Sequence, residues 1–408
     1  MRILFVDDEI QILKGLRRML ATVENEWETE FSTSGAEALE ILRVEQFDVV
    51  VTDMRMPGMD GPELLATVSA LFPDMVRIVL SGQANQESVL RAVSLMHQYL
   101  SKPCDTDKLR TTISRACELR GVLHSQHLQK LVNCVTTVPS VPSLYKNVVD
   151  EIESPDGSVQ RIGELIAQDP GMTAKVLQIT NSAIFAARSP IVSPLQAASL
   201  LGMEAIKSLV LCFGAFKQFD DITISGFSIE SVFQRCVAAA GNARLIASSQ
   251  GCDQDMVSIA FTAGMLQDLG ILVLACGMPE AYADVISQAT ESGRSIAEVE
   301  IEVLGASHAA VGAYLLQLWG RPRTLVEAVA FHETPAARHE TEFTALTAVV
   351  AANMITTAGT TGPWCGDSER GMEFLRQLNL SERFTAWQDV CQPGKRSQSN
   401  EQQKFIRR

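Results

Sequence analysis

The fold is decided by one stretch near the start of the chain, which reads Val49-Val50-Val51-Thr52-Asp53-Met54-Arg55-Met56-Pro57-Gly58-Met59-Asp60-Gly61. Residues 49–52 carry β-branched side chains toward both faces, which is typical of a strand buried inside a parallel sheet. A turn-rich loop follows, so Asp53 is expected at the carboxyl end of this strand. Open α/β sheets bind their ligands at that edge, and a carboxylate there is a candidate site residue.

More acidic residues follow the first predicted strand, which runs from Arg2 to Val6 and leads directly into Asp7-Asp8-Glu9. If this strand neighbours the one that ends at Asp53, three carboxylates meet at one sheet edge and raise each other's pKa values. A hard divalent cation with oxygen ligands relieves that repulsion, and Mg²⁺ is the natural candidate.

Two later strands also end in polar residues. A strand over 75–80 precedes Ser81, and a strand over 98–101 precedes Lys102. Phosphoryl transfer to a carboxylate uses such groups: Asp53 as nucleophile, the metal and Lys102 to offset phosphoryl charge, and Ser81 as hydrogen-bond donor. The alternative is a flavodoxin-like domain with chance carboxylates, and four ordered features argue against it.

These residues resemble the receiver domain of two-component response regulators, which has a flavodoxin-like fold. The resemblance implies a phosphoacceptor, Asp53, assisted by Lys102 and Ser81, and a switch pair made of Ser81 and Tyr99. It implies Mg²⁺ with these ligands: Asp8, Asp53, the backbone carbonyl of Arg55 and, through water, Asp7. It also implies a cis peptide bond before Pro103, which the ease of X-Pro isomerism permits.

Composition bounds the rest of the chain. At 408 residues and 46% apolar residues it is long enough for more than one domain with a real core. The net charge is −14 without a basic run before the short tail, which argues against bulk electrostatic binding to nucleic acid or an anionic membrane. We expect no apolar run long enough to span a bilayer. Nine scattered cysteines without a CxxC pair suit reduced thiols in a cytoplasm.

The pattern of elements predicts two domains. Strand and helix patterns alternate over 1–118, which predicts a doubly wound, parallel, five-stranded sheet. Helical spacing over 119–131 predicts a connector helix, with a separate surface helix as the alternative. Residues 132–358 show helical patterns throughout and predict an all-α, multi-helical domain. Residues 359–408 form a C-terminal extension with a disordered end.

Within the all-α domain we expect one long helix over 256–274. Helix N-termini are expected at three capping sequences: Ser154-Pro155-Asp156, Asp169-Pro170 and Ser193-Pro194.

Four phrases in this second domain resemble one family, at residues 169–183, 197–202, 260–270 and 302–316, followed by Trp319-Gly320 and residues 331–335. Together they resemble an HDOD domain, the non-catalytic relative of the HD metal-dependent phosphohydrolases. The resemblance covers roughly residues 130–358. It implies an HD-related helical fold used for protein interaction.

The residues of the HD metal site are only partly kept. Aligned by phrase, three positions have changed type: Cys236, Gln267 and Asn353. The retained residues are Asp268, His308 and His332. Neutral amides are poor substitutes for imidazole or carboxylate toward a metal. We therefore expect no dinuclear metal site and no cofactor in this domain.

His308 and His332 are expected to form hydrogen bonds in the helical core or with Asp268, with a weak mononuclear metal site as the alternative. Cys236 is expected to be a small buried residue.

The leading functional hypothesis is a cytoplasmic response regulator. A sensor histidine kinase or a phosphotransfer protein phosphorylates Asp53, and the HDOD domain is a scaffold for a downstream protein that the sequence does not name. One alternative is a receiver-controlled HD-type phosphodiesterase or phosphohydrolase. Another is a DNA-binding regulator, but the second domain lacks a basic recognition helix. Homodimerisation stays open, and no membrane partner is expected.

Overall fold

The structure is a computed structural model of the chain. It describes residues 1–20, 27–82, 95–118, 132, 147, 148, 150–152, 154, 156–181, 191–200, 206, 224, 226–338, 340–358, 364 and 368–391. The predicted connector helix over 119–131 and the tail after residue 391 lie outside these residues. The same is true of two stretches whose sequence predicts helices, 86–95 and 203–219, apart from residues 95 and 206.

The chain divides into two compact units. The first comprises Met1–Ala167, Ala174–Phe219 and Tyr314–Pro322. The second comprises Gln168–Thr173, Asp220–Ala313 and Arg323–Arg408.

The first unit contains a five-stranded parallel sheet in the order β2-β1-β3-β4-β5. Its strands are β1 (Arg2–Val6), β2 (Glu28–Ser32), β3 (Val49–Thr52), β4 (Val76–Ser81) and β5 (Gln98–Ser101). The helices between and after them are α1 (Ile10–Leu20), α2 (Gly35–Val44), α3 (Gly61–Leu71) and α4 (Thr106–Glu118). The predicted doubly wound sheet is confirmed.

Every residue of strand β3 is buried, so this strand fixes the position of Asp53, which follows it directly. It lies between β1 and β4, and Thr52 pairs with Val6 of β1 in register. Helix α3 begins directly after the loop that follows β3. A capping box between Asp60 and Glu63 fixes that start, since each side chain accepts a hydrogen bond from the other residue's backbone N–H.

The remaining elements are helical among the described residues, so the predicted all-α second part is confirmed for them. Helices α5 (Val159–Ile166) and α6 (Pro170–Thr180) come first. Then follow α7 (Ile229–Ser249), α8 (Gln254–Leu266), α9 (Leu269–Gly277), α10 (Pro279–Ser292), α11 (Ile296–Leu304), α12 (His308–Leu318), α13 (Arg323–Phe331), α14 (Ala345–Thr357), α15 (Ser368–Gln377) and α16 (Phe384–Cys391). Two short 3₁₀ helices span Pro335–Ala337 and Ser381–Arg383.

The core of the second unit is built on α7, which packs against α8 and α14. Close approach of α7 and α8 requires a glycine, because a Cβ on Gly264 would lie 2.9 Å from the Cα of Ala240. Helix α16, the last helix of the described chain, packs against α7, and its Trp387 is buried.

One expectation about helix boundaries is wrong. The single helix expected over 256–274 is two helices, α8 and α9, because the backbone turns at Gln267-Asp268, where Asp268 has φ −98° and ψ 14°. The sequence Ser154-Pro155-Asp156 precedes α5 as expected, and the capping residue itself is Ser158, whose side chain accepts from the backbone N–H of Arg161 at 3.0 Å. The cap at Asp169 is as expected, accepting from the N–H of Met172 at 2.9 Å.

By length and composition, the expectation that no apolar run can cross a membrane is also wrong. Among the described residues, the stretch Gln254–Gly277 is long and apolar enough to cross a membrane. A second candidate exists only if α11 and α12, which are bent by 75° relative to each other, are counted as one span. The first stretch is 83% buried inside the protein over its most apolar window. Core helices of folded domains share this property.

Candidate functional site

The carboxyl edge of the sheet brings the predicted receiver residues together. The Nζ atom of Lys102, just after β5, lies 2.5 Å from Oδ2 of Asp7 and 2.8 Å from Oδ1 of Asp53. The second oxygen of Asp53 accepts from the backbone N–H of Arg55 at 2.8 Å, and Asp7 Oδ1 accepts from that of Glu9 at 3.0 Å. The edge therefore holds a half-buried ammonium between two carboxylates that follow neighbouring strands.

Ser81 and Tyr99 lie on the same side of this edge. Ser81 is the last residue of β4, and its buried hydroxyl hydrogen-bonds the phenol of Tyr99 on β5. Burial raises the pKa of Tyr99 above its ordinary value, although the bond to Ser81 opposes the change. The peptide bond between Lys102 and Pro103 is cis, as the resemblance implied.

A cavity of about 890 Å³ opens above these groups, and Asp8, Asp53, Arg55, Ser81 and Lys102 are among its lining residues. The set fits Mg²⁺, because carboxylate and backbone carbonyl oxygens are the donors this cation prefers. Asp7, Asp8, Asp53 and the Arg55 carbonyl are the residues that could hold it.

The charges at the edge perturb one another. Burial raises the pKa of Asp7 above its ordinary value, although its bond to Lys102 opposes the change. Burial alone would lower the pKa of Lys102, but the hydrogen bonds to Asp53 and Asp7 outweigh it and raise the pKa. The ammonium is therefore held in its charged form.

A second cluster lies in the second unit, around the carboxylate of Asp268 at the break between α8 and α9. Its Oδ1 lies 3.7 Å from Nε2 of His308 and 3.9 Å from Nε2 of His332. Its Oδ2 accepts from Nε of Arg235 at 2.8 Å. The structure thus brings the retained Asp268, His308 and His332 to one buried point.

Two of the three altered positions contact the same carboxylate, and the third contacts one of those two. The thiol of Cys236 lies 3.8 Å from Oδ2 of Asp268, and Gln267 Nε2 lies 3.5 Å from it. Gln267 Nε2 also lies 3.4 Å from Oδ1 of Asn353. Burial raises the pKa of the Cys236 thiol well above its ordinary value, so this sulfur stays protonated.

Three residues of this cluster were not anticipated from the sequence: Arg235, Glu300 and Tyr282. Glu300 on α11 is fully buried, and its Oε2 lies 2.6 Å from Nδ1 of His308 and 2.7 Å from the backbone N of His308. Tyr282 on α10 donates to the other oxygen of Glu300 at 2.8 Å. Glu300 lies in an amphipathic helix next to two other acids, Glu298 and Glu302, and the sequence pattern alone does not distinguish it from them.

Charge pairing sets the protonation of the cluster. Burial alone would raise the pKa of Asp268, but Arg235, His308 and His332 outweigh it and hold the pKa at about 2. Burial alone would lower the pKa of His308, but Glu300 and Asp268 raise it to about 9. Asp268 is therefore a carboxylate throughout the physiological range.

Comparison with protein families identifies both parts of the chain. Residues 3–114 match the response regulator receiver domain, and residues 138–335 match the HDOD domain. Among curated proteins, the hydrogenase transcriptional regulatory protein HoxA of Cupriavidus necator is 35% identical over 127 residues, which is 31% of this chain and 26% of HoxA. An uncharacterised protein of Treponema pallidum is 24% identical over 250 residues, which is 60% of this chain and 47% of that protein. The chain spans about half the length, or less, of the curated relatives it matches.

Among solved structures, the MmoQ response regulator of Methylococcus capsulatus is 20% identical with a TM-score of 0.48, covering 62% of this chain and 98% of MmoQ. A virulence factor of Campylobacter jejuni is 21% identical with a TM-score of 0.49, covering 65% of this chain and 92% of that chain. The two family matches and the five-stranded sheet agree with each other. The chain therefore carries a response regulator receiver domain followed by an HDOD domain.

Proposed function

We propose that this response regulator accepts a phosphoryl group on Asp53 from a sensor histidine kinase or a phosphotransfer protein. The observation that carries the proposal is the position of Lys102 Nζ, 2.8 Å from Asp53 and 2.5 Å from Asp7. A carboxylate oxygen of Asp53 attacks phosphorus as the bond to the donor nitrogen breaks. Lys102 then lies where negative charge develops on the phosphoryl oxygens.

The residues that would hold a cation lie at the same carboxyl edge of the sheet. Asp8, Asp53 and the backbone carbonyl of Arg55 would hold Mg²⁺, with Asp7 acting through water. When bound, the cation offsets the charge that Asp53 and the phosphoryl group bring together. The ammonium of Lys102, held by Asp7, orients the carboxylate of Asp53, and the cavity above them admits the donor.

Ser81 and Tyr99 would form the switch. A phosphoryl group on Asp53 attracts the Ser81 hydroxyl, which now bonds Tyr99, so the two interactions compete. Near Tyr99 on β5, the side chain of Gln98 lies against Gly320. Gln317 Nε2 donates to the carbonyl of Arg115 on α4 at 2.5 Å, within the first unit. These contacts offer a route from the switch to the HDOD segment 314–322.

For the HDOD domain we propose a scaffold for a downstream protein rather than a hydrolase. Cys236 and Gln267 place a thiol and an amide beside Asp268, and the amide of Asn353 contacts that of Gln267. In addition, Arg235 occupies one oxygen of that carboxylate. A site that clamps phosphate between two metals needs more anionic and imidazole ligands than this. The six described cysteines are thiols and not disulfides, which suits the proposed cytoplasmic location.

The test of the acceptor is a Phos-tag gel of the full chain incubated with acetyl phosphate and Mg²⁺. Wild type should give a retarded band that Asp53→Asn lacks and EDTA prevents. Equal mobility of the two proteins would contradict the proposal.

A receiver-controlled HD-type phosphodiesterase is the second candidate, because Asp268, His308 and His332 still converge. Hydrolysis of cyclic dinucleotides by the full chain, lost in His332→Gln, would favour it. No turnover with Mn²⁺ or Fe²⁺ supplied would favour the scaffold.

A further inference from the structure

We propose that the end of α12 is an intramolecular latch, which binds the β5–α4 side of the receiver and is released when Asp53 is phosphorylated. The latch comprises residues 317–321 of the HDOD domain, and its contacts with the receiver lie within the first unit. This inference rests on the proposed phosphoryl transfer to Asp53 and assigns the direction of control, since phosphorylation frees the HDOD segment.

The latch contacts the receiver at two points. Strand β5 is the last strand of the described sheet, in the order β2-β1-β3-β4-β5. On this strand the side chain of Gln98 lies against Gly320, because a Cβ added to that glycine would lie 3.2 Å from Oε1 of Gln98. On α4, the backbone carbonyl of Arg115 accepts from Nε2 of Gln317 at 2.5 Å. The segment therefore bridges β5 and α4.

The latch is a rigid turn. The backbone N–H of Arg321 donates to the carbonyl of Leu316 at 3.0 Å, and that of Gly320 donates to the carbonyl of Gln317 at 2.9 Å. These two bonds form a Schellman motif, which ends α12 and requires the left-handed conformation of Gly320 (φ +67°). The two residues that contact the receiver, Gln317 and Gly320, are therefore held in a fixed relation to each other.

The guanidinium of Arg321 anchors this turn in the HDOD domain. Its Nη1 donates to the carbonyl of Leu177 on α6 at 2.6 Å, and its Nε and Nη2 donate to the carbonyl of Trp319 at 3.1 and 2.7 Å. Both carbonyls lie at C-terminal ends of helices, where a positive charge is favourable. Because Arg321 is buried, losing these bonds would leave a buried charge unsatisfied. The turn therefore stays attached to α6.

The contact with Gln98 is incomplete, which favours its release. The Nε2 atom of Gln98 is buried and has no hydrogen-bond partner among the described residues. Gly320 lies close to it, since an added Cβ would lie 3.7 Å from this atom. An unsatisfied buried amide destabilises the state that buries it, and release of the latch would return it to water. The resting contact is thus weak enough for a change at β5 to break it.

Tyr99 links this contact to the phosphoacceptor. It follows Gln98 directly on β5, and its phenol bonds the hydroxyl of Ser81. When Ser81 turns toward a phosphoryl group on Asp53, Tyr99 loses this bond and β5 shifts. The shift moves Gln98 against Gly320, and the anchored turn cannot follow it. Phosphorylation and the latch therefore exclude each other, and each weakens the other by the same factor.

The experiment measures the binding of beryllofluoride, which takes the place of the phosphoryl group, to the full chain with Mg²⁺ by isothermal titration calorimetry. Gln317→Ala removes the hydrogen bond to α4, and Gly320→Ala places a Cβ against Gln98. Both variants should bind beryllofluoride about 2–10-fold more tightly than wild type, because the latch no longer competes.

The matched control for the glycine variant is Gly293→Ala, which should bind as wild type does. Gly293 has the same left-handed conformation (φ +68°), and an added Cβ there would meet nothing within 4 Å beyond its chain neighbours. It therefore carries the same backbone strain without the contact to the receiver.

Gln98→Met gives the opposite prediction. Methionine has a similar length and no amide to leave unsatisfied, so the latch should hold more firmly and beryllofluoride should bind about 2–10-fold more weakly. Because this variant stabilises the resting contact, it keeps the test decisive if the other variants fold poorly.

The latch is overturned if Gln317→Ala and Gly320→Ala bind beryllofluoride as wild type does, if Gly293→Ala shifts the affinity as much as Gly320→Ala, or if Gln98→Met binds as tightly as wild type or more tightly. Failure of the proposed phosphoacceptor gives a different result. Wild type would then bind no beryllofluoride, or Asp53→Asn would bind it as well as wild type does.

Discussion

The ammonium of Lys102 lies 2.8 Å from Oδ1 of Asp53, although β4 separates the strands that precede these two residues. The long lysine side chain crosses the edge of the sheet and reaches Asp7 as well. One cation thus holds together acidic groups from two strands.

Replacing Lys102 with methionine keeps the length of the side chain and removes the charge. We expect phosphorylation of Asp53 by acetyl phosphate to slow by about 100-fold, since a charge that faces developing negative charge is lost. The initial rate of band shift on a Phos-tag gel measures this. The control is Lys14→Met, which removes a charge from the exposed face of α1. Similar rates for both variants would contradict the assigned role.

The pKa of Asp7 predicts a pH-dependent gain in stability for Asp7→Asn. Burial raises this pKa in the folded chain above the ordinary value of 3.8, so folding favours the protonated carboxyl. The stability that Asp7 contributes is present below about pH 3.8 and lost as pH rises through the folded pKa. At neutral pH the asparagine variant should therefore have the higher Tm, and the difference should shrink toward about pH 4.

Thermal unfolding of both proteins over this pH series measures the effect. The control is Glu40→Gln, which neutralises an exposed acid on α2 and should show no such trend. A lower Tm for Asp7→Asn at neutral pH would mean that its bond to Lys102 outweighs its burial.

The sheet edge was predictable because parallel strands place successive polar residues at one end. The order of residues in the sequence, a run of β-branched residues in β3 followed by Asp53, is enough to predict this edge. Helix α7 was predictable at both ends, since Ser228 caps its start and its apolar spacing stops at Ser249.

Other features depend on long-range packing and could not be predicted. Apolar spacing continues through Gln267-Asp268, so nothing local marks the break between α8 and α9. Glu300 looks like any acid on an amphipathic helix until His308 folds against it. Helix α15 is polar in composition, and burial of Phe374 and Leu375 shows why it nevertheless packs.

The close contact of Gly61 with Asp53 predicts that the loop after β3 does not tolerate a larger side chain at position 61. An added Cβ would overlap the backbone carbonyl of Asp53, and backbone atoms cannot move aside without shifting the nucleophile. We expect Gly61→Ala to destabilise the protein by about 1–3 kcal/mol and to slow phosphorylation. Gly15→Ala is the matched control, because a Cβ there would meet nothing within 4 Å beyond its chain neighbours and the backbone of its own helix. In α1 it should stabilise by up to about 1 kcal/mol. Chemical denaturation gives both values, and equal effects would refute the overlap.

Replacing Tyr282 tests how much the hydrogen bond between its phenol and Glu300 contributes to the stability of the protein. The phenol and Glu300 are both fully buried, and the bond between them is 2.8 Å. Tyr282→Phe leaves one oxygen of a buried carboxylate without its donor, at a cost of about 1–3 kcal/mol. Ser287→Ala on the same helix removes an exposed bond to Glu291 and should change stability by less than about 0.5 kcal/mol. Denaturant midpoints measured at constant m separate the two variants. A Tyr282→Phe protein as stable as wild type would show that Glu300 is held by His308 alone.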